Sequence, residues 1–124
     1  MRREVLDALA SLSDHENQQR TWIQKKYPHT DFFDDLSLNI HILYDDCTVL
    51  PDPEAMIGSV LLQGEEIMRL KRLGEVLDDL LDRHEDEPDI VFLNDPDWPL
   101  VMKLAALALA AMVRSWGFPA LDEG

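Results

Sequence analysis

The stretch WPLVMKLAALALAAMVRSW, residues 98–116, constrains the fold more than any other. Helical spacing over about 97–116 puts apolar residues on nearly every side, and a helix of that kind belongs in the middle of a structure, covered by others. Its most apolar part, 104–113, is too short to cross a bilayer, which takes roughly 20 apolar residues. Alanines at 105, 106, 108, 110 and 111 would let neighbouring helices come close. A chain of 124 residues suffices for one domain with one modest core. The expected fold is all-α: a single helical domain, 1–124, built as a bundle of about five to six helices around the apolar C-terminal helix.

Periodicity and caps place the covering helices. Residues 2–12 form a helix with Val5, Leu6, Leu9 and Leu12 on one side. Ser13-Asp14-His15-Glu16 has capping-box form, so a second helix follows over 14 to about 26, and Pro28 ends it. Asp52-Pro53-Glu54 reads as an N-cap, a proline in the first turn and an acid at the positive helix end, starting a short helix to about Leu62. The next helix, about 65–84, aligns Ile67, Leu70, Leu73, Leu77, Leu80, Leu81 and His84. Gly74 inside it costs roughly 1 kcal/mol relative to alanine, which close helix packing would explain. Residues 85–97, EDEPDIVFLNDPD, read as a connector with 90–93 as a short extended piece, and Asp95 or Asp97 then caps the last helix. Trp22, Trp98 and Trp116 are expected in the core.

Residues 34–47, DDLSLNIHILYDDC, set an apolar run between two aspartate pairs. From Tyr27 to Met68 there are nine carboxylates and no Lys or Arg. Two readings compete. Leu36, Leu38, Ile40, Ile42 and Tyr44 alternate, as in a strand. On a helix, Phe32, Leu36, Ile40, Leu43 and Cys47 fall within about 80° of one another. The helical reading uses the apolar residues better, and no other segment offers a convincing partner strand. The outer side of that helix would carry Asp31, Asp34, Asp35, His41, Asp45 and Asp46 around Leu38 and Ile42. An apolar centre ringed by charge is how a protein-binding patch is built, with a desolvated centre and a steering rim. The bland alternative is that Leu38 and Ile42 touch a helix of the same domain and the acids are a solvated edge. His41 and Asp45, four apart, suit a surface pair; two such ligands do not make a metal site. A second acidic block, Glu75 to Asp97, has ten carboxylates against one base, Arg83, with Glu65–Arg69 and Asp79–Arg83 spaced as ordinary helix pairs.

The formal net charge is −14 and the pI about 4.4. Nucleic acid and anionic membranes would be repelled, so basic partners, or cations, are the natural complement. One cysteine, Cys47, rules out an intrachain disulfide and fits a reducing cytoplasm. The start, MRREVLDALASLSD, lacks the apolar run of a secretory signal. There is no Gly-rich phosphate loop, nucleophile elbow or HExxH, and Cys47 falls on the core side of an acidic helix end, where its thiolate is suppressed. No catalytic residues, cofactor or metal are expected. Self-association is left open.

The segments "VLDALASLSD", "QQRTW", "DDLSLNIHILYDDCTVLPDPEAMIGSVLLQGEE" and "LNDPDWPLVMKLAALAL", in that order, resemble a family of small acidic bacterial proteins that mostly carry no assigned activity. The DD-apolar-DD, DPE-x-x-IG and DP-x-WP elements are the most specific parts. Some members look like immunity proteins of polymorphic toxin systems. The resemblance brings no catalytic residues with it. It implies an acidic binding module that neutralises a basic toxin domain, a nuclease for example, by blocking its surface. The alternative is a cytosolic regulatory or adaptor protein with a non-toxin basic partner.

Overall fold

Residues 2–24, 35–50, 52–58, 61, 64–85 and 87–116 are described by the structure, a computed structural model. Six α-helices follow one another among these residues: α1 (Arg2–Ser13), α2 (His15–Asn17), α3 (Leu36–His41), α4 (Glu65–Arg83), α5 (Asp89–Leu93) and α6 (Trp98–Trp116). α2 and α3 run on as π-helical turns, Gln18–Ile23 and Ile42–Asp46. Among the described residues there is no strand, only a lone bridge between Ile57 and Leu61.

The expected all-α bundle is what forms, with one continuous core. α6 packs along α4 and α1, and α3 with its π turn lies on α1. Trp98, Val101, Leu104, Ala105, Ala108, Ala111 and Met112 of α6 are buried. Small residues at 105, 108 and 111 suit this close packing, as does the buried Gly74 of α4. α6 is not covered all round, however. Leu100, Lys103, Ala106 and Arg114 form an exposed stripe, because long helices pack on only part of its circumference. The core side of α1 is Val5, Leu6, Leu9 and Leu12, as its spacing indicates.

The first two helices meet at Gln18, a wholly buried polar residue. Its Nε2 donates to the carbonyls of Ser11 (3.0 Å) and Leu12 (2.8 Å) at the end of α1. Those carbonyls lie in the last turn of α1, where the helix supplies no partners of its own. Gln18 Oε1 accepts the indole N–H of Trp98 at 3.0 Å. Trp98 in turn stands edge-on to Trp22, with centroids 6.1 Å apart. One amide thus joins α1, the π turn and the start of α6.

Several local expectations are corrected. Asp14, not Ser13, caps α2: its extended backbone lets Oδ1 accept the Asn17 N–H at 3.0 Å, while Ser13 ends α1 and donates back to the Ala10 carbonyl. The helix after Pro53 is one 3₁₀ turn, Pro53–Met56, with no side-chain cap from Asp52. Ile57 turns extended there and Gly58 takes φ +90°, so the turn cannot propagate. The piece at 90–93 is helical, because Pro88 sets up the start of α5 and accepts the Val91 N–H. Trp22 and Trp98 are core residues as expected. The helix end at Pro28 and the Trp116 side chain lie outside what is described.

Replacing Gln18 with leucine removes the donor to the Ser11 and Leu12 carbonyls and the acceptor of the Trp98 N–H. The expected loss is about 2–4 kcal/mol of unfolding free energy. Urea unfolding followed by tryptophan fluorescence measures it, and an unchanged midpoint would show that the amide does not hold the helices together.

Candidate protein-binding groove

α3 starts where two carboxylates meet its free N–H groups. Asp35, in extended backbone, accepts the Leu38 N–H on Oδ1 at 2.7 Å. Asp89, from the first turn of α5, accepts the Leu36 N–H at 3.1 Å. Acids suit this positive end of a helix. The second bond also pins α5 beside α3 across 53 residues of sequence. The segment is a helix, not a strand, and these caps are a physical reason for it.

The π turn after α3 changes which side chains share a face. On an α-helix the residue five positions on points roughly 140° away. A π turn takes in an extra residue, and the Cys47 N–H reaches back five residues to the Ile42 carbonyl at 2.9 Å. As a result His41 stands between two carboxylates, Nδ1 2.9 Å from Asp45 and Nε2 3.2 Å from Asp46. The neutral ring carries one N–H and the protonated ring two, so only the protonated ring donates to both. All three side chains are about half exposed or more.

Beside them runs an open groove of about 360 Å³ between α3, the C-terminal end of α4 and α5. Leu36, Ile40, Leu81 and Phe92 supply its apolar surface; Asp45 and His41 border it on the α3 side, Glu87 and Asp89 on the α5 side. No lysine or arginine lines it among the described residues. A second hollow of about 330 Å³ lies between Trp22, Ile23, Asp35 and Pro88, Asp89, Ile90.

Of the residues singled out by sequence, Asp31 and Asp34 lie outside the described residues. His41, Asp45 and Asp46 come together on the surface. Asp35 is half-buried and its carboxylate is turned onto the helix start. Leu38 and Ile42 are half-buried, and Ile42 packs against the core. The groove beside the acids is lined by Leu36, Ile40, Leu81 and Phe92, of which Ile40 and Leu81 are half-buried and the other two buried. Leu81 and Phe92 belong to elements too distant in sequence for a single helical wheel to join to α3.

Several of the described bases are engaged elsewhere. Arg69 and Arg114 both meet Glu65, at 3.1 and 2.9 Å, and hold its carboxyl below the ordinary range, Arg114 most. Lys71 meets Glu54 at 2.9 Å, and Arg72 meets Glu75 at 3.5 Å. Such exposed pairs add little stability, but they cancel charge locally and leave the acidic surplus elsewhere.

One acidic residue is structural in a way sequence spacing does not reveal. Asp95 is buried, yet Arg83 approaches it at 3.1 Å, His84 Nε2 at 2.6 Å, and the Asp97 N–H donates to Oδ1 at 2.8 Å. Burial pushes the Asp95 carboxyl up, but the Asp97 N–H, His84 and Arg83 outweigh it and hold it below the ordinary value. This junction turns the chain from α5 into α6, and the Trp98 N–H donates to the Asp95 carbonyl. Tyr44 makes a second tie: its hydroxyl donates to Asp78 at 2.5 Å. Burial first, then Asp78, raises its pKa far above the normal tyrosine value. Cys47 is fully buried, and burial, with Glu4 adding, raises its thiol pKa.

Two outcomes follow from these environments. Asp95→Ala removes the bonds of three residues to one carboxylate and costs about 2–4 kcal/mol at neutral pH. A depressed folded pKa means that this contribution is complete above the unfolded value near pH 4 and fades as pH falls through the lower folded value. The stability gap between native and variant chains should therefore narrow below about pH 4 in urea titrations; a constant gap would contradict the ionised junction. Separately, Cys47 should react with a thiol reagent only as the protein unfolds, at least about a hundredfold slower in buffer than in denaturant.

Among the described residues, no three His, Cys, Asp and Glu side chains are grouped so as to hold a metal ion, and no helix is long and apolar enough to cross a membrane. No curated protein and no solved structure matches the chain. A family described as "Domain of unknown function (DUF7945)" matches residues 1–117, nearly the whole chain. The protein with this acidic groove belongs to that family.

Proposed function

We propose that the protein is an acidic protein-binding module that neutralises a basic toxin domain by covering its working surface, in the manner of an immunity protein. The observation that carries this reading is the groove itself: Asp45, Glu87 and Asp89 border Leu36, Ile40, Leu81 and Phe92, on a chain of net charge −14. Apolar area gives a contact its desolvated centre, and charge around it steers the encounter. A toxin that acts on nucleic acid is basic where it binds phosphate, so an acidic face with apolar footing complements it. Asp46, beside His41, extends the acidic rim beyond the groove. Charge complementarity speeds association, which favours an inhibitor that must act before its toxin does.

The test is capture by the tagged full chain from its native host at low salt, followed by a salt series. The expected result is one basic protein, eluting as salt rises, whose expression alone arrests growth and whose toxicity this chain relieves. Asp45→Asn with Asp46→Asn should then slow association about three- to tenfold and flatten its salt dependence. A captured basic protein without toxicity would make the chain an adaptor. No specific basic partner would overturn the reading.

A further inference from the structure

The geometry points to the groove between α3, α4 and α5 as a receptor for a single arginine side chain presented by the partner protein. The inference deepens the reading above and rests on it only for the identity of the protein that carries the arginine. Three observations select the occupant. The first is size: about 360 Å³ lies at the low end of ligand pockets, which suits one long side chain and excludes a whole helix. The second is the order of chemistry. Ile40 and Leu81, half-buried above the buried Leu36 and Phe92, offer apolar surface for a methylene stem, and Asp45, Glu87 and Asp89 stand on the borders where a cationic head would lie. The third is the source of charge balance. The arginines and lysine of α4 and Arg114 of α6 are already set against carboxylates of the chain, and none of them lines this groove.

Arginine fits better than lysine. Its guanidinium is planar, weakly hydrated and able to reach carboxylates on both sides at once. Asp45 accepts from His41 through Oδ2, and a carboxylate has room for more than one donor. A protein-borne side chain is favoured over a free small molecule because the groove is open. An open groove buries only part of a small ligand, whereas a folded partner adds contacts around the inserted residue.

The experiment needs no partner. Amide proton–nitrogen spectra of the full chain are recorded while N-acetyl-arginine N-methylamide is added, with the lysine and norleucine analogues as controls. The arginine probe should shift amides of residues 36–41, 81 and 87–92 saturably, with a Kd on the order of a millimolar, the range open to so small a ligand in an open site. Lysine should bind at least about threefold more weakly, and norleucine should leave these amides unmoved. Asp45→Asn with Glu87→Gln, both at exposed positions, should weaken the arginine probe about tenfold while the rest of the spectrum shows an intact fold. Shifts spread over the whole acidic surface, equal binding of lysine or norleucine, or full binding by the double variant would each overturn the assignment. If the probe fails while a basic toxin is captured, only the groove assignment falls. If the probe binds and no basic partner is captured, the toxin reading falls instead.

Discussion

The indole N–H of Trp98 needs an acceptor inside the core, and the Gln18 amide supplies it. Buried polar groups are costly unless satisfied. Here one side chain satisfies three groups at once: the indole and two carbonyls at the end of α1. Each bond also fixes a direction, which apolar burial alone does not. The apolar contacts of α6 with α1 and α4 are less directional. The Gln18 node sets where along α6 the first two helices must lie, and the Trp22–Trp98 edge contact fills the space beside it. At the same end of α6, Asp95 gathers Arg83, His84 and the Asp97 N–H and so ties the end of α4 to the start of α6.

With α4 and α6 joined in that way, α5 is held close to α3. The Asp89–Leu36 bond completes the placement. The groove is therefore a product of the framework: its walls come from three helices that Asp89 and Asp95 bring together. Acidic side chains play two separate roles. Asp35, Asp89 and Asp95 bond backbone N–H groups and shape the turns. Asp45, Asp46 and Glu87 are exposed and set the field outside.

Much of the fold was legible in the sequence because it rests on local rules. The apolar residues of α1 and α4 recur at helical spacing, and the composition of α6 marks it as a helix that others must cover. The helical nature of 36–46 was also readable, since Leu36, Ile40 and Leu43 align only at that period. What failed were short elements decided by single backbone states. Pro53–Met56 stops after one turn because Ile57 becomes extended, and 89–93 closes into a helix because of Pro88. Neither outcome leaves a periodic signal.

The acidic surface was half legible. Aspartate spacing led to His41, Asp45 and Asp46, although the π turn that brings Asp46 onto His41 has no sequence signature. The groove beside them was not legible, because one helix cannot reveal what α4 and α5 bring next to it. Asp95 was hidden for the opposite reason: in a block of ten carboxylates, only tertiary placement marks it as buried. The most direct test of the central claim is hydrogen–deuterium exchange of the chain alone and bound to its basic partner. Protection gained over 36–46 and 87–93 is the predicted result. Protection confined to the base-rich start of α4, 65–72, or to the exposed stripe of α6, with no change along the groove, would contradict it.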